Sequence, residues 1–140
     1  MKVKILFLCT GNSARSQLAE ALMRFYRGDR FEVYSAGTQP KGVHPMALEA
    51  LREIGIDASG QYSKRIDELP VKDFDFIITL CDSAARNCPV FTGSGKKLHY
   101  GFTDPAATVG TDEQVLDSFR IVRDEMKGFI ENFDPCNPAA

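Results

Sequence analysis

The stretch Val3-Lys4-Ile5-Leu6-Phe7-Leu8-Cys9-Thr10-Gly11-Asn12-Ser13-Ala14-Arg15-Ser16 decides the fold. The apolar run over residues 3–8 is the length of one buried strand, and Thr-Gly-Asn ends it. Beyond it, Leu18, Leu22, Phe25 and Tyr26 recur at helical spacing, which predicts a helix over residues 13–26 with Gly28 as its stop. A strand, a short loop and a helix in that order aim the loop's backbone N–H groups at one spot. That spot lies on the positive end of the helix dipole. A tetrahedral oxyanion fits there, with Cys9 as the nucleophile at its base.

Working outward, strand and helix patterns alternate. A second strand is expected over 31–35, ending at Ala36-Gly37, and a helix over 45–54 with Pro45 near its start and Gly55 after its end. Residues 74–80 read as a third strand and 97–100 as a short fourth. Residues 112–132 read as a long helix with Val115, Phe119, Val122, Met126 and Phe129 on one face. Alternation implies an α/β fold: a single-domain three-layer sandwich with a parallel sheet and helices on both faces. Residues 1–133 form that domain, and residues 134–140, with two prolines, form a flexible C-terminal tail. With strand order 2-1-3-4 the topological reversal falls between strands one and three. Cys9 leaves strand one, Cys81 leaves strand three, and Asp104 follows strand four on the same edge. The architecture therefore brings residues far apart in sequence to one place.

Each of these residues has a chemical reason to be there. A thiolate is the reactive form of cysteine, and helix N-termini and cationic neighbours favour it. Arg15 offers a planar fork for two oxygens of the bound anion. Ser16 can donate a hydrogen bond to the sulfur, Gly11 relieves crowding at the turn, and Asn12 tolerates a left-handed backbone. Thr10, Gly11, Asn12, Ser13, Ala14, Arg15 and Ser16 are the expected oxyanion-binding residues. Asp104, in Thr103-Asp104-Pro105, is the candidate general acid. Cys81 and Cys88 add two thiols with six residues between them, which points to redox chemistry on the oxyanion and not to hydrolysis alone. Residues 82–87 are expected to form a short helix. The segment from Cys81 to about Gly95 must then loosen for those two thiols to meet. His44 and His99 read as surface or packing residues, and Cys136 as a bystander.

Composition bounds the rest. The chain has 140 residues and a formal net charge of −2, so neither nucleic acid nor an anionic membrane is an expected partner. No apolar run is long enough to span a bilayer or to serve as a signal-peptide core, and a cytoplasmic location is expected. Thiols stay reduced there, so a disulfide would be transient and catalytic. Cys9, Cys81, Cys88 and Cys136 lack the paired spacing of a zinc site, and no metal is expected.

Taken together, the run from Cys9 to Ser16, Thr79-Leu80-Cys81, Asn87-Cys88-Pro89 and Gly101-Phe102-Thr103-Asp104-Pro105 resemble thioredoxin-coupled arsenate reductase. That family shares its fold with low-molecular-weight protein tyrosine phosphatases. The resemblance implies a three-cysteine relay. Cys9 attacks arsenate with Asp104 assisting loss of an oxygen, and Cys81 attacks Cys9 to release arsenite. Cys88 then moves the disulfide to Cys81–Cys88, where thioredoxin reduces it. It implies no cofactor, a monomer, and phosphate or sulfate as competing oxyanions. Some of these reductases bind potassium through an asparagine, a glutamate, a serine and an aspartate. Asn12, Glu20 and Ser35 match the first three, but Lys64 stands where the aspartate would be, so no potassium site is expected. Two alternatives use the same loop. A tyrosine or small-ester phosphatase needs only Cys9, Arg15 and Asp104, but Ala106-Ala107 replace the aromatic residues that flank a phosphotyrosine ring. A phosphocysteine carrier would need neither Arg15 nor Asp104.

Overall fold

The computed structural model describes residues 2–86 and 95–138. Four strands, β1 (Val3–Cys9), β2 (Phe31–Gly37), β3 (Phe76–Thr79) and β4 (Lys96–His99), form one parallel sheet in the order β2-β1-β3-β4. The helices are α1 (Arg15–Arg27), α2 (Pro45–Arg52), α3 (Asp82–Arg86) and α4 (Asp112–Asn132), and 3-10 turns lie at Ile66–Glu68 and Pro105–Ala107. The expected strand order and fold class are those observed. β1 is central, and Ile5, Leu6, Phe7 and Leu8 are all fully buried. A strand buried on both faces has no reason to alternate, which is why its sequence is a continuous apolar run. Each such side chain contributes about 1.5–3 kcal/mol relative to exposure.

α4 packs against α1 and α2 through the buried stripe Phe119, Val122, Met126 and Ile130. Thr111 and Gln114 close its N-terminus in a reciprocal capping box. Phe133, just past its end, packs edge-on against Phe31 and Phe76. His44 is not a plain surface residue. It caps α2 by accepting from the Met46 N–H, and its ring lies 4.7 Å from that of Phe119. Burial holds its pKa below 6.5, so the neutral ring that can accept is favoured.

Element ends depart from expectation where the site begins. α1 starts at Arg15 and not at residue 13, because residues 10–14 form the loop and Asn12 takes φ 44°. β2 runs on to Gly37 because the pairing continues as Leu8↔Ala36 and Cys9↔Gly37. β3 is shorter than the apolar run around it. Lys96 rather than Lys97 opens β4. α3 occupies most of the short helix expected after Cys81. Cys88 and the rest of the linking segment, residues 87–94, lie outside the described residues.

Gly37 is where the fold and the loop meet. A Cβ there would stand 2.6 Å from the Thr10 carbonyl oxygen and 2.8 Å from the Asn12 nitrogen. Both obstacles are backbone, so an alanine can be fitted only by moving the loop. Gly37→Ala is expected to cost about 1–3 kcal/mol, the usual range for overpacking. Urea unfolding measures it, and a change under about 0.3 kcal/mol would show that the loop yields freely.

Candidate active site

The loop from Thr10 to Ala14 is held by its carbonyls. Thr10 O accepts from Gln39 N–H, Gly11 O from Lys41 N–H and Ser13 O from His44 N–H, at 2.8, 2.9 and 3.0 Å. Asn12 O accepts from the buried Gln17 side chain, and Ala14 O from Leu18 N–H. Ser63 Oγ adds a second bond to Gly11 O. In a trans peptide the C=O and the following N–H point in opposite directions. Five carbonyls tied outward therefore turn the N–H groups of residues 11–15 toward the inside of the turn. That concavity sits at the N-terminus of α1, where the first N–H groups have no helical partner. The cradle inferred from the sequence thus has a definite cause: the segment from Gln39 to His44 and the Gln17 side chain grip the loop from outside.

Asn12, fully buried, locks the centre. Its Oδ1 accepts from Lys64 N–H at 2.9 Å, and its Nδ2 donates to Ser16 Oγ at 2.7 Å and Ser35 Oγ at 3.0 Å. A backbone N–H can only donate, so the orientation of the carboxamide is determined. Ser16 Oγ receives the Asn12 hydrogen, which leaves its own proton for Cys9 Sγ, 2.8 Å away. Cys9 is 3% exposed. An O–H aimed at sulfur is worth more to a thiolate than to a thiol.

The other residues converge from the neighbouring strand ends. The Leu8↔Thr79 pairing and the Leu80 N–H to Leu8 O bond set Cys81 beside the loop. Cys81 is also buried, with its Sγ 3.4 Å from Thr10 Oγ1 and 3.4 Å from the Ala84 N–H that donates to it. Tyr100 N–H to Thr79 O and Phe102 N–H to Leu80 O extend the strand-like pairing past β4 and carry Asp104 to the same edge. Arg15 donates to Phe102 O at 3.1 Å and lies 3.7 Å from Asp104 Oδ2. The other Asp104 oxygen accepts from Ala106 N–H, which leaves Oδ2 to face the site. Ala106 and Ala107 beside it are exposed and present only methyl groups.

The structure thus brings together Cys9, the residues from Thr10 to Ser16, Cys81 and Asp104; Cys88 falls outside the described residues. His99 is a residue that sequence reasoning passed over. Its Nδ1 lies 2.8 Å from Thr79 Oγ1 and its Nε2 3.2 Å from Asp82 Oδ1, so the ring bridges the residues on either side of Leu80-Cys81. A histidine closing a short strand carries no signal of this, because the bridge exists only after β3 and β4 pair. Gln17 was missed because a polar residue inside a helix carries no sign that its side chain turns back to Asn12 O and Tyr62 O.

Behind the loop, Lys64 Nζ lies 3.6 Å from Glu20 Oε1. Glu20 also accepts from Ser35 Oγ and pairs with Arg24. The place beside Glu20, Ser35 and Asn12 already holds an ammonium, so these residues do not fit a resident potassium ion.

A loop with inward N–H groups, a buried cysteine at its base and an arginine leading the next helix defines a cysteine-based oxyanion enzyme. Residues 4–133 match the model of the low molecular weight phosphotyrosine protein phosphatase family, and the chain belongs to that family. Within it, the chain is 48% identical to an arsenate reductase of Halalkalibacterium halodurans, over 94% of this chain and 95% of that one. Among solved structures it is similar to an arsenate reductase in the phosphate binding state, with 33% identity and a TM-score of 0.75, covering 99% of this chain and 100% of that one. It is also similar to a thioredoxin-dependent arsenate reductase of Corynebacterium glutamicum, with 28% identity and a TM-score of 0.63, covering 93% of this chain and 62% of that one.

The Ser16 bond gives a direct test. Hydrogen bonds to charged groups are worth about 1.5–3 kcal/mol, and 1.36 kcal/mol is a factor of ten in rate. Ser16→Ala should slow iodoacetamide alkylation of Cys9 at neutral pH by about tenfold or more. A rate within twofold of the parent protein would show that the hydroxyl does not support the nucleophile.

Proposed function

We propose that this protein reduces arsenate to arsenite with thioredoxin as the electron donor. The observation that carries this reading is the second buried thiol, Cys81, whose sulfur meets the loop through Thr10. Ester hydrolysis has no use for it. The names of the relatives at 45–48% identity agree.

The chemistry follows from the site. The oxyanion enters the loop, the N–H groups of residues 11–15 take its charge, and Arg15 swings from Phe102 O to clamp two oxygens. Cys9 attacks arsenic, and Asp104 gives a proton to the departing oxygen, which leaves as water. Cys81 attacks Cys9 Sγ. The electron pair of the S–As bond stays on arsenic, so arsenate has gained two electrons and leaves as arsenite, and a Cys9–Cys81 disulfide remains. Cys88 attacks Cys81 and frees Cys9. The dithiol of thioredoxin then reduces Cys81–Cys88. No metal or organic cofactor enters any step, and phosphate or sulfate competes for the cradle.

The Cys81 sulfur accepts the Ala84 N–H near the start of α3, where the helix favours negative charge. α3 takes up residues 82–86 of the spacer that follows Cys81. At about 1.5 Å of rise per residue, a spacer helical throughout would hold two thiols seven positions apart at roughly 10 Å, beyond the 4.4–6.8 Å span of a disulfide. We therefore infer that α3 unwinds during each turnover, which also presents the disulfide to thioredoxin. No helix among the described residues is long and apolar enough to cross a membrane. The reading places the enzyme in the cytoplasm, where thioredoxin and reduced thiols are found, acting as a monomer.

A phosphatase and a reductase separate cleanly at Cys88. Cys88→Ser should release about one arsenite per enzyme and then stop with Cys9 and Cys81 linked, while hydrolysis of a small phosphate ester continues at the parent rate. Sustained thioredoxin-dependent turnover in this variant, counted as arsenite per enzyme, would contradict the relay.

A further inference from the structure

Lys64 is a lysine where burial ought to be costly. It is 6% exposed, and its ammonium donates to Tyr62 O at 3.0 Å and lies 4.7 Å from the Tyr62 ring centroid. The carboxylate it pairs with is Glu20, itself 5% exposed. Burial drives the Lys64 pKa down, against the pull of Glu20. Bare stability does not account for such a pair, since buried ion pairs often do no better than apolar packing.

The connections from this pair supply the reason. Glu20 accepts from Ser35 Oγ. Ser35 can give its proton to Glu20 because it accepts from Asn12 Nδ2. The other Asn12 hydrogen goes to Ser16, whose proton goes to Cys9. Lys64 holds this chain at two points, since its own backbone N–H is the donor that orients Asn12. Arg24, half exposed, is the only other cation on Glu20 among the described residues.

We propose that Lys64 is a positioning residue for the Cys9 nucleophile, its ammonium acting as a built-in cation that holds the Glu20 side chain in place, and through Ser35, Asn12 and Ser16 keeps a proton aimed at the Cys9 sulfur. Without the ammonium, Glu20 is a buried carboxylate shared only with solvent-facing Arg24. It then turns outward toward Arg24, and Ser35 and Asn12 lose their fixed geometry. The proposal rests on Cys9 being the nucleophile.

The structure also shows how a replacement cation could arrive. A cleft of about 730 Å³ runs outward from Glu20, Arg24 and Lys64 between Tyr34 and Tyr62. Truncating Lys64 leaves room for a small cation at its end. Among the described residues, the charged and titratable groups facing that room are Glu20 and Arg24 from α1, Tyr34 from β2, Asp57 beyond α2, and Tyr62 and Glu68 from the 62–68 segment.

The test is the rate of iodoacetamide alkylation at Cys9, read by peptide mass spectrometry at pH 7, in the full chain with Lys64→Ala, Lys64→Met or Lys64→Arg. Lys64→Ala should alkylate about tenfold more slowly, the loss of roughly one hydrogen bond to a charged group. Ammonium chloride should restore most of that rate, and tetramethylammonium chloride at equal concentration should not, being too large for the site. Lys64→Met fills the room with apolar atoms and should be as slow but not restored. Lys64→Arg keeps the charge and should stay within about threefold of the parent. Circular dichroism checks that each variant is folded, and the Met and Arg variants keep the test decisive if the Ala variant is not. Alkylation within twofold of the parent in both neutral variants, or equal recovery by the two salts, would overturn the proposal. Because alkylation needs no arsenate, absence of arsenate turnover in the parent protein would overturn the reductase reading and leave this result standing.

Discussion

The carboxamide of Asn12 is the constraint on which the site depends. It is fully buried, sits at φ 44°, and satisfies three partners from three directions: Lys64 N–H, Ser35 and Ser16. A left-handed residue in a tight loop persists only when its surroundings over-determine it. Here one side chain ties the centre of the loop to β2, to α1 and to the 62–68 segment. It also fixes the direction of the proton on Ser16, so the structural lock and the support of the Cys9 sulfur are the same group. A carboxylate at position 12 could accept from Lys64 but could not donate to either serine. An alanine would leave buried groups without partners.

The parallel sheet accounts for the chemistry around that loop. Strand ends at the reversal of β1 and β3 bring Cys9 and Cys81 together, and the β3–β4 pairing extends past β4 to deliver Asp104. One edge therefore holds the loop, the Asp104 carboxyl group and a second thiol, with a short helix next to that thiol. On the proposed reading, the loop and the carboxyl group suffice for phosphate-ester hydrolysis. The thiol and the short helix would then convert the same covalent intermediate into an electron transfer. Beside Asp104, Ala106 and Ala107 present methyl groups and not the aromatic rings that would flank a phosphotyrosine.

Much of this was legible in the sequence. The apolar run into Cys9, the Gly-Asn turn and the helical spacing after Ser13 carried the fold, because a central parallel strand and the helix that follows it are patterned locally. Order 2-1-3-4 followed from topology and placed Cys81 and Asp104. What was not legible depends on contacts between distant segments. His99 bridges Thr79 and Asp82 only once β4 has paired with β3. Gln39, Lys41 and His44 grip the loop carbonyls only because the β2–α2 segment folds back over it. Gly37 read as a strand end, and its role as a place with no room for a Cβ appears only in three dimensions. Lys64 stood out as a departure from a pattern, and its place beside Glu20 required the fold.

The central claim is that five outward carbonyls turn the N–H groups of residues 11–15 into an anion cradle. The most direct measurement is a phosphate titration followed by amide 1H–15N correlation spectra of the reduced protein. The account predicts that the amides of residues 11–15 move together, downfield in the proton dimension, along one saturation curve. If those amides stay in place while phosphate shifts only signals elsewhere on the surface, the cradle does not bind the oxyanion and the account is wrong.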